Sequence, residues 1–439
     1  EKLGVNKTDY AIISDLKKWK NAVNRKPLII RGARQVGKTW LMKEFGKKEY
    51  KQSIYINFES NNRLKDLFID NYDIQRIITG LQIETGIAFD SENTLIIFDE
   101  IQEAPRAITS LKYFHEEHPE YHIIAAGSLL GVALQSNISF PVGKVDFLDL
   151  YPMTYLEFLE AIGQKSLVDL LLSQDWEMIK VFKNKYIDYL RQYYYIGGMP
   201  EVVQTFCNSS DFDLIRDIQK RILYSYEQDF SKHAPNEIVP RIRMLWNSIP
   251  AQLAKENKKF IYNIIRTGAR AKDYELALSW LTDCGLVYKL NQISKAAIPL
   301  IAYEDFNAFK LFMVDIGLLL AMCNLDKKVL LEGNLIFQEF KGALSEQYVM
   351  QQLIADKELK LNYWSAEKAK AEIDMIFQYE DKLIPIEIKA EENLKAKSLK
   401  IYYQKFNPEN AIRTSMSDYR KEEWFTNLPL YAISQLKTI

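Results

Sequence analysis

The stretch KPLIIRGARQVGKTWLMKEFG, residues 26–46, restricts the fold more than any other part of the chain. An apolar strand-like run is followed by a glycine-bounded loop and then by a helical pattern carrying Trp40, Leu41 and Phe45. The loop fits GxxxxGK[ST] through Gly32, Gly37, Lys38 and Thr39, with Ala33, Arg34, Gln35 and Val36 between the glycines and Trp40 after them. Each position has a chemical reason. Glycines let backbone N–H groups approach phosphate, a lysine reaches the β- and γ-phosphates of ATP, and a threonine hydroxyl ligates Mg²⁺. The helix that starts there adds its positive dipole end. A chance glycine turn would also fit the pattern, but the chain holds only 17 glycines in 439 residues, so a strand, this loop and a helix in sequence favour a phosphate cradle.

Such a cradle needs a carboxylate to organise the metal. The next strongly apolar run, NTLIIFDE, ends in Asp99 and Glu100. This spacing predicts that Asp99 holds Mg²⁺ through water and that Glu100 orients or deprotonates the attacking water. An acidic helix N-terminus is the plainer alternative. A third run, YHIIAAGS, ends at Ser128, placed either to sense the γ-phosphate or simply to cap a helix.

With 439 residues, several cores are expected. The 57 basic and 58 acidic side chains leave a net charge of −1, which does not mark the whole chain as a polyanion binder, although basic surfaces can still be segregated by domain. The three cysteines, Cys207, Cys284 and Cys323, are scattered and odd in number, which fits a reducing cytoplasm better than a disulfide framework. The most apolar run, LFMVDIGLLLAMC, is too short for a bilayer and contains Asp315, so no membrane association is expected.

Taken together, GARQVGKT, LIIFDE, IIAAGS and LYPMTYLEFL resemble the AAA+-type ATPase module of a bacterial and archaeal family that carries a C-terminal restriction-endonuclease-like domain of unknown function. YIGGMPEVV and LFMVDIGLL extend the resemblance over nearly the whole chain. Relatives usually carry Gly-Arg just before the LYP segment, where this chain has Gly143 and Lys144. If that arginine is a finger stabilising transition-state charge, Lys144 keeps the charge but not the planar fork. Arg191 and Arg221 are further candidates for that role.

Residues 155–232 follow helical spacing throughout, as expected of an ATPase lid. Within them Gly197, Gly198 and Pro200 mark a turn read as structural. A winged helix is expected over 236–305. Gly268 sits in its turn, Tyr274, Ala277, Leu278 and Leu281 form one apolar face, and LVYKLNQISKAAIPLIAY supplies a two-stranded wing. Arg266, Arg270 and Lys272 stand where they could meet phosphate, although Asp273 and Glu275 dilute that patch and such modules often serve only for packing.

The C-terminal part reads α-β-β-β-α-β, with Glu346 in the helix FQEFKGALSEQYVMQQLIA. A tight turn at Glu380 and Asp381 sets a register in AEIDMIFQYEDKLIPIEIKA that places Asp374 opposite Glu387 and Glu372 opposite Lys389, leaving Ile373, Met375, Phe377, Ile384, Ile386 and Ile388 for the apolar face. Glu372 with Lys389 reads as an ordinary ion pair. Asp374 facing Glu387 costs on the order of 0.2–1 kcal/mol unless a cation lies between them. The resemblance implies a PD-(D/E)xK site, with Glu346, Asp374 and Glu387 binding Mg²⁺ and Lys389 activating water. Ile373 stands where that pattern has proline. Lys395, Lys397 and Lys400 on the following helix either meet phosphate or form a solvated face.

The expected fold is therefore α/β, with four parts: a P-loop AAA+ core over 1–155, a helical lid over 156–235, a winged helix over 236–305 and a PD-(D/E)xK nuclease-like domain over 306–439. The expected activity is Mg²⁺-dependent ATP binding and hydrolysis, with DNA as partner and a homo-oligomer as a possible assembly. The alternatives are a nucleotide-operated switch with a silent C-terminal domain and a small-nucleotide kinase.

Overall fold

The computed structural model describes residues 10–69, 71–127, 140–255, 258–328, 338–356, 359–366, 371–390 and 396–438. By contact these separate into two compact units, one built from Asp9–Tyr151 with Asp283–Leu286, the other from Pro152–Thr282 with Val287–Ile439.

In the first unit, short strands, β-branched in all but the last, form a five-stranded sheet: β1 (Leu28–Arg31), β2 (Gln52–Asn57), β3 (Thr94–Asp99), β4 (His122–Ala126) and β5 (Asp146–Asp149). Their order is β2-β3-β4-β1-β5 and every pairing is parallel. A parallel sheet must be covered on both faces, which is why β3 and β4 read as unbroken apolar runs. Alternate residues serve opposite cores. Ile29, Ile96, Phe98 and Ile123 pack with the helices Ile74–Thr85 and Pro105–Glu117, while Ile30, Leu95, Ile97 and Ile124 pack with Tyr10–Lys20 and Lys38–Glu49. Because β4 lies between β1 and β3, the loops leaving β1 and β3 open at the same carboxyl edge of the sheet, the usual ligand crevice of such folds.

The second unit begins with helices at Tyr155–Ala161, Lys165–Ser173, Trp176–Val181, Lys183–Ile196, Pro200–Ser209 and Phe212–His233, in agreement with the helical spacing of this region. Thr154 opens the first of them with a capping box completed by Glu157. The glycine turn has a physical role. Asp315 is fully buried and its carboxylate accepts from Gly198 N at 2.6 Å, Leu318 N at 3.0 Å and Gln351 Nε2 at 3.0 Å. A Cβ at Gly197 would stand 2.1 Å from Asp315 Oδ1, one at Gly198 2.1 Å from the Met153 carbonyl, and one at Gly317 2.4 Å from the Ile196 carbonyl. YIGGMP and VDIG are thus two halves of one close backbone crossing, pinned by a carboxylate.

After the helices Val239–Leu253, Tyr262–Ile265 and Ala271–Asp283 come β6 (Val287–Ile293) and β7 (Glu304–Met313). Tyr274, Ala277, Leu278 and Leu281 are buried as expected. The hairpin differs from the expected wing, because β7 runs past 305 to Met313 and β6 also pairs with β8 (Leu361–Ser365). With β9 (Glu372–Tyr379), β10 (Lys382–Ile388), β11 (Ile412–Ser415), β12 (Arg420–Lys421) and β13 (Thr426–Pro429), the hairpin belongs to one eight-stranded mixed sheet of order β12-β13-β11-β10-β9-β8-β6-β7. No sheet boundary falls at 305. No helix among the described residues is long and apolar enough to cross a membrane.

Candidate functional site

The phosphate loop leaves β1 in backbone conformations that few side chains adopt. Gly32 lies at φ 145°, Gln35 at 69° and Gly37 at 97°. A Cβ at Gly32 would be 2.2 Å from the Leu150 carbonyl, so glycine is required there by contact as well as by conformation. Ala33 and Val36 are buried, Arg34 is partly exposed, and Gln35 and Trp40 face solvent. Gly37 caps the helix Lys38–Glu49, which aims its N-terminus into the loop.

Lys38 is only 7% exposed, and its ammonium donates to the carbonyls of Gly32 at 2.8 Å and Ala33 at 2.7 Å. Burial lowers its pKa to about 8, against the opposing pull of Glu100 and Asp99. Thr39 Oγ1 donates to Asp99 Oδ2 at 2.7 Å, joining the loop after β1 to the end of β3. Tyr55 on β2 donates to the same oxygen at 2.8 Å, and Glu100 N donates to Oδ1 at 3.0 Å. Asp99 is 2% exposed, so these donors satisfy a buried carboxylate. Glu100 lies at φ 50°, and its Oε2 accepts from Gln102 Nε2 at 2.6 Å. A hydroxyl and a carboxylate in contact, beside a cradled ammonium and a helix N-terminus, form a donor set that fits Mg²⁺ with a nucleoside triphosphate. Ser128 lies outside the described residues. Lys144 is engaged locally with Glu116 at 3.0 Å, Arg191 lies 3.6 Å from Asp188, and Arg221 is exposed.

In the second unit the expected hairpin register is present. Lys382 faces Tyr379, Ile386 faces Met375, and Glu380 takes a left-handed turn conformation at φ 53°. The backbone pairing ends at Ile386 opposite Met375, and beyond it Ile388 N donates to the Asp374 side chain at Oδ2, at 2.7 Å. Glu387 is 2% exposed. Its Oε1 meets Lys389 at 2.9 Å, while its Oε2 makes no hydrogen bond. Burial, reinforced by Glu346, pushes the Asp374 carboxyl up to about 7 despite Lys310 and Lys258.

Two expectations are corrected here. Glu372 pairs not with Lys389 but with Lys310, at 2.5 Å. Lys310 is fully buried, lies over the Tyr363 ring and also reaches Glu346 at 3.3 Å, while Lys258 takes the other oxygen of Glu346. Burial alone would lower the Lys310 pKa, but Glu346, Glu372 and Asp374 outweigh it and hold the pKa above the ordinary lysine value. The apolar face also departs from strict alternation. β8 and β9 shift register between Asn362 and Trp364, and Ile373 joins Ile376 in one cluster. Among the described residues no group of three or more His, Cys, Asp or Glu side chains is arranged to hold a metal ion. Of the expected set of Glu346, Asp374 and Glu387, Glu346 is paired with Lys258 and Lys310 in this structure. Arg413 on β11, facing Glu387 and bonded to Asn427 at 2.8 Å, extends the polar row over the neighbouring strands. Lys395 lies outside the described residues, and Lys397 and Lys400 are exposed.

Sequence reasoning missed Lys258, Lys310, Arg413 and Tyr55. Lys310 had a signal, being one charge in the otherwise apolar AFKLFMV. Tyr55 had none, since its role depends on β2 lying beside β3.

Comparison with known proteins gives three family matches. Residues 24–159 match an AAA domain, 187–329 a domain of unknown function (DUF8612), and 341–433 another (DUF4143). The first match covers the sheet and loop just described, so this part of the chain is similar to an AAA domain. No curated protein matches the chain. Solved structures similar to it include the Walker-type ATPase paby2304 of Pyrococcus abyssi, at 14% identity, covering 72% of this chain and 96% of that one, with a TM-score of 0.45. Another is the Aeropyrum pernix Orc1 protein in complex with DNA, at 11% identity, 72% and 91% coverage and a TM-score of 0.26. A third is the Thermotoga maritima RuvB Holliday junction branch migration motor, at 12% identity, 67% and 90% coverage and a TM-score of 0.28.

Proposed function

We propose that the first unit binds and hydrolyses Mg²⁺·ATP and that the second acts on DNA through its nuclease-like sheet. The observation that carries the first part is the 2.7 Å contact between Thr39 and Asp99 beside the buried Lys38. Lys38 leaves the loop carbonyls for the β- and γ-phosphates, and the backbone N–H groups between Gly32 and Thr39 hold the remaining phosphate oxygens. Asp99 orients the Thr39 hydroxyl, and Glu100 takes a proton from the attacking water. Bound Mg²⁺ supplies the charge neutralisation that lets the γ-phosphate be attacked. Steady-state hydrolysis and nucleotide binding with Lys38→Ala test this reading, and full hydrolysis by that variant would remove the assignment. Product analysis of labelled ATP separates hydrolysis from a small-nucleotide kinase.

DNA action rests on the Asp374–Glu387–Lys389 arrangement and on the exposed Arg266, Arg270 and Lys272. A second reading, a nucleotide-operated switch with a silent C-terminal domain, is favoured by Lys258 and Lys310 already satisfying Glu346. Incubation with duplex, single-stranded and branched DNA in Mg²⁺ or Mn²⁺, with Asp374→Ala as control, decides between them. Cleavage lost in the control supports the first reading, and absence of cleavage on every substrate supports the second.

A further inference from the structure

We infer that Tyr55 is a positioning residue of the nucleotide site, setting its divalent-cation affinity by fixing the Asp99 carboxylate. The inference rests on the reading of that site as a Mg²⁺·ATP site. Asp99 Oδ2 receives two hydroxyls, Thr39 at 2.7 Å from the phosphate loop and Tyr55 at 2.8 Å from β2, while Oδ1 receives Glu100 N at 3.0 Å. Of these donors, Thr39 is the one that also serves the cation, so it cannot by itself hold the carboxylate against rotation about its terminal bond. Glu100 N holds one oxygen from the adjacent residue, with the geometry of the chain itself. Tyr55 is the donor that reaches Asp99 from another strand.

The phenol is itself held from several sides. β2 pairs with β3 in a register that sets Asn57 beside Asp99 and Tyr55 beside Ile97. Asn57 Nδ2 donates to the Tyr55 hydroxyl at 3.4 Å, and the Lys43 ammonium lies 3.6 Å from the ring centroid. Lys43 stands on the helix that begins at Lys38, so the ring is clamped between that helix and the sheet. Groups that orient a metal-binding carboxylate commonly change metal affinity on the order of 10- to 100-fold when removed.

Tyr55→Phe keeps the ring and removes only the hydroxyl. In the full chain, binding of a fluorescent ATP analogue is measured in EDTA and across a Mg²⁺ titration, and hydrolysis is measured across the same titration. The expected result is metal-free affinity equal to the parent and a protein still folded at the assay temperature, with the Mg²⁺ half-saturation concentration of binding and hydrolysis raised about 10-fold. An unchanged or lowered Mg²⁺ requirement overturns the inference, as does an equal loss of metal-free and Mg²⁺-dependent binding. Failure of the parent protein itself to bind nucleotide in a Mg²⁺-dependent way counts against the site assignment instead.

Discussion

Lys38 is the residue whose physical state most directly sets how the nucleotide site responds to its surroundings. Its folded pKa lies near 8 because burial penalises the ammonium. As pH rises through that value the free site loses its charge, and an arriving phosphate restores it. Nucleotide affinity therefore falls above about pH 8, by up to ~10-fold per unit, and binding takes up a proton there. Calorimetry in buffers of different ionisation enthalpy between about pH 7 and 9.5 checks this, and an enthalpy independent of buffer would contradict it. Glu100→Gln is expected to retain nucleotide affinity while slowing turnover by on the order of 10²-fold or more, the signature of a lost base rather than a lost ligand. The positions of the loop residues and of the Asp99–Glu100 pair were legible in the sequence because they are consecutive residues at strand ends. Lys310 against Glu346 was not, because it joins residues 36 positions apart through packing that no local pattern encodes.

At the scale of elements, the hairpin of β9 and β10 was also legible, since parity and one tight turn specify an antiparallel register. What parity could not supply was the register shift against β8 or the lysine that captures Glu372, both of which come from strands far off in sequence. The crossing of YIGGMP and VDIG had been visible only as a glycine turn, and its reason appears once Asp315 is seen to gather backbone donors from both segments. Asp315→Ala would leave Gly198 N without its acceptor, and a loss of on the order of 3 kcal/mol in denaturant unfolding is expected. Gly317→Ala should cost at least as much, because the added methyl meets backbone rather than a movable side chain. A loss below about 0.5 kcal/mol in either variant would show that the crossing relaxes easily.

For the whole molecule, assignment of the nucleotide site to one compact unit has a measurable signature. Mg²⁺·ATP at about 100 times its dissociation constant adds ~2.7 kcal/mol to whatever cooperative transition contains Asp9–Tyr151, and nothing to it in the Lys38→Ala protein. Differential scanning calorimetry reads this directly, and an equal nucleotide-induced shift in Lys38→Ala would place binding elsewhere. The four-part division drawn from the sequence followed changes of pattern along the chain, whereas the eight-stranded sheet is assembled from strands on both sides of the expected boundary at 305. The short piece Asp283–Leu286 carries a last consequence. It clusters with the first unit, Cys284 and Leu286 are buried, and a Cβ at Gly285 would lie 3.3 Å from Ala33 N in the phosphate loop. The first compact unit is therefore discontinuous in sequence. A fragment ended at Tyr151 would lack Asp283–Leu286, the piece of chain that lies against the phosphate loop, and is expected to be less stable than the same unit within the full chain.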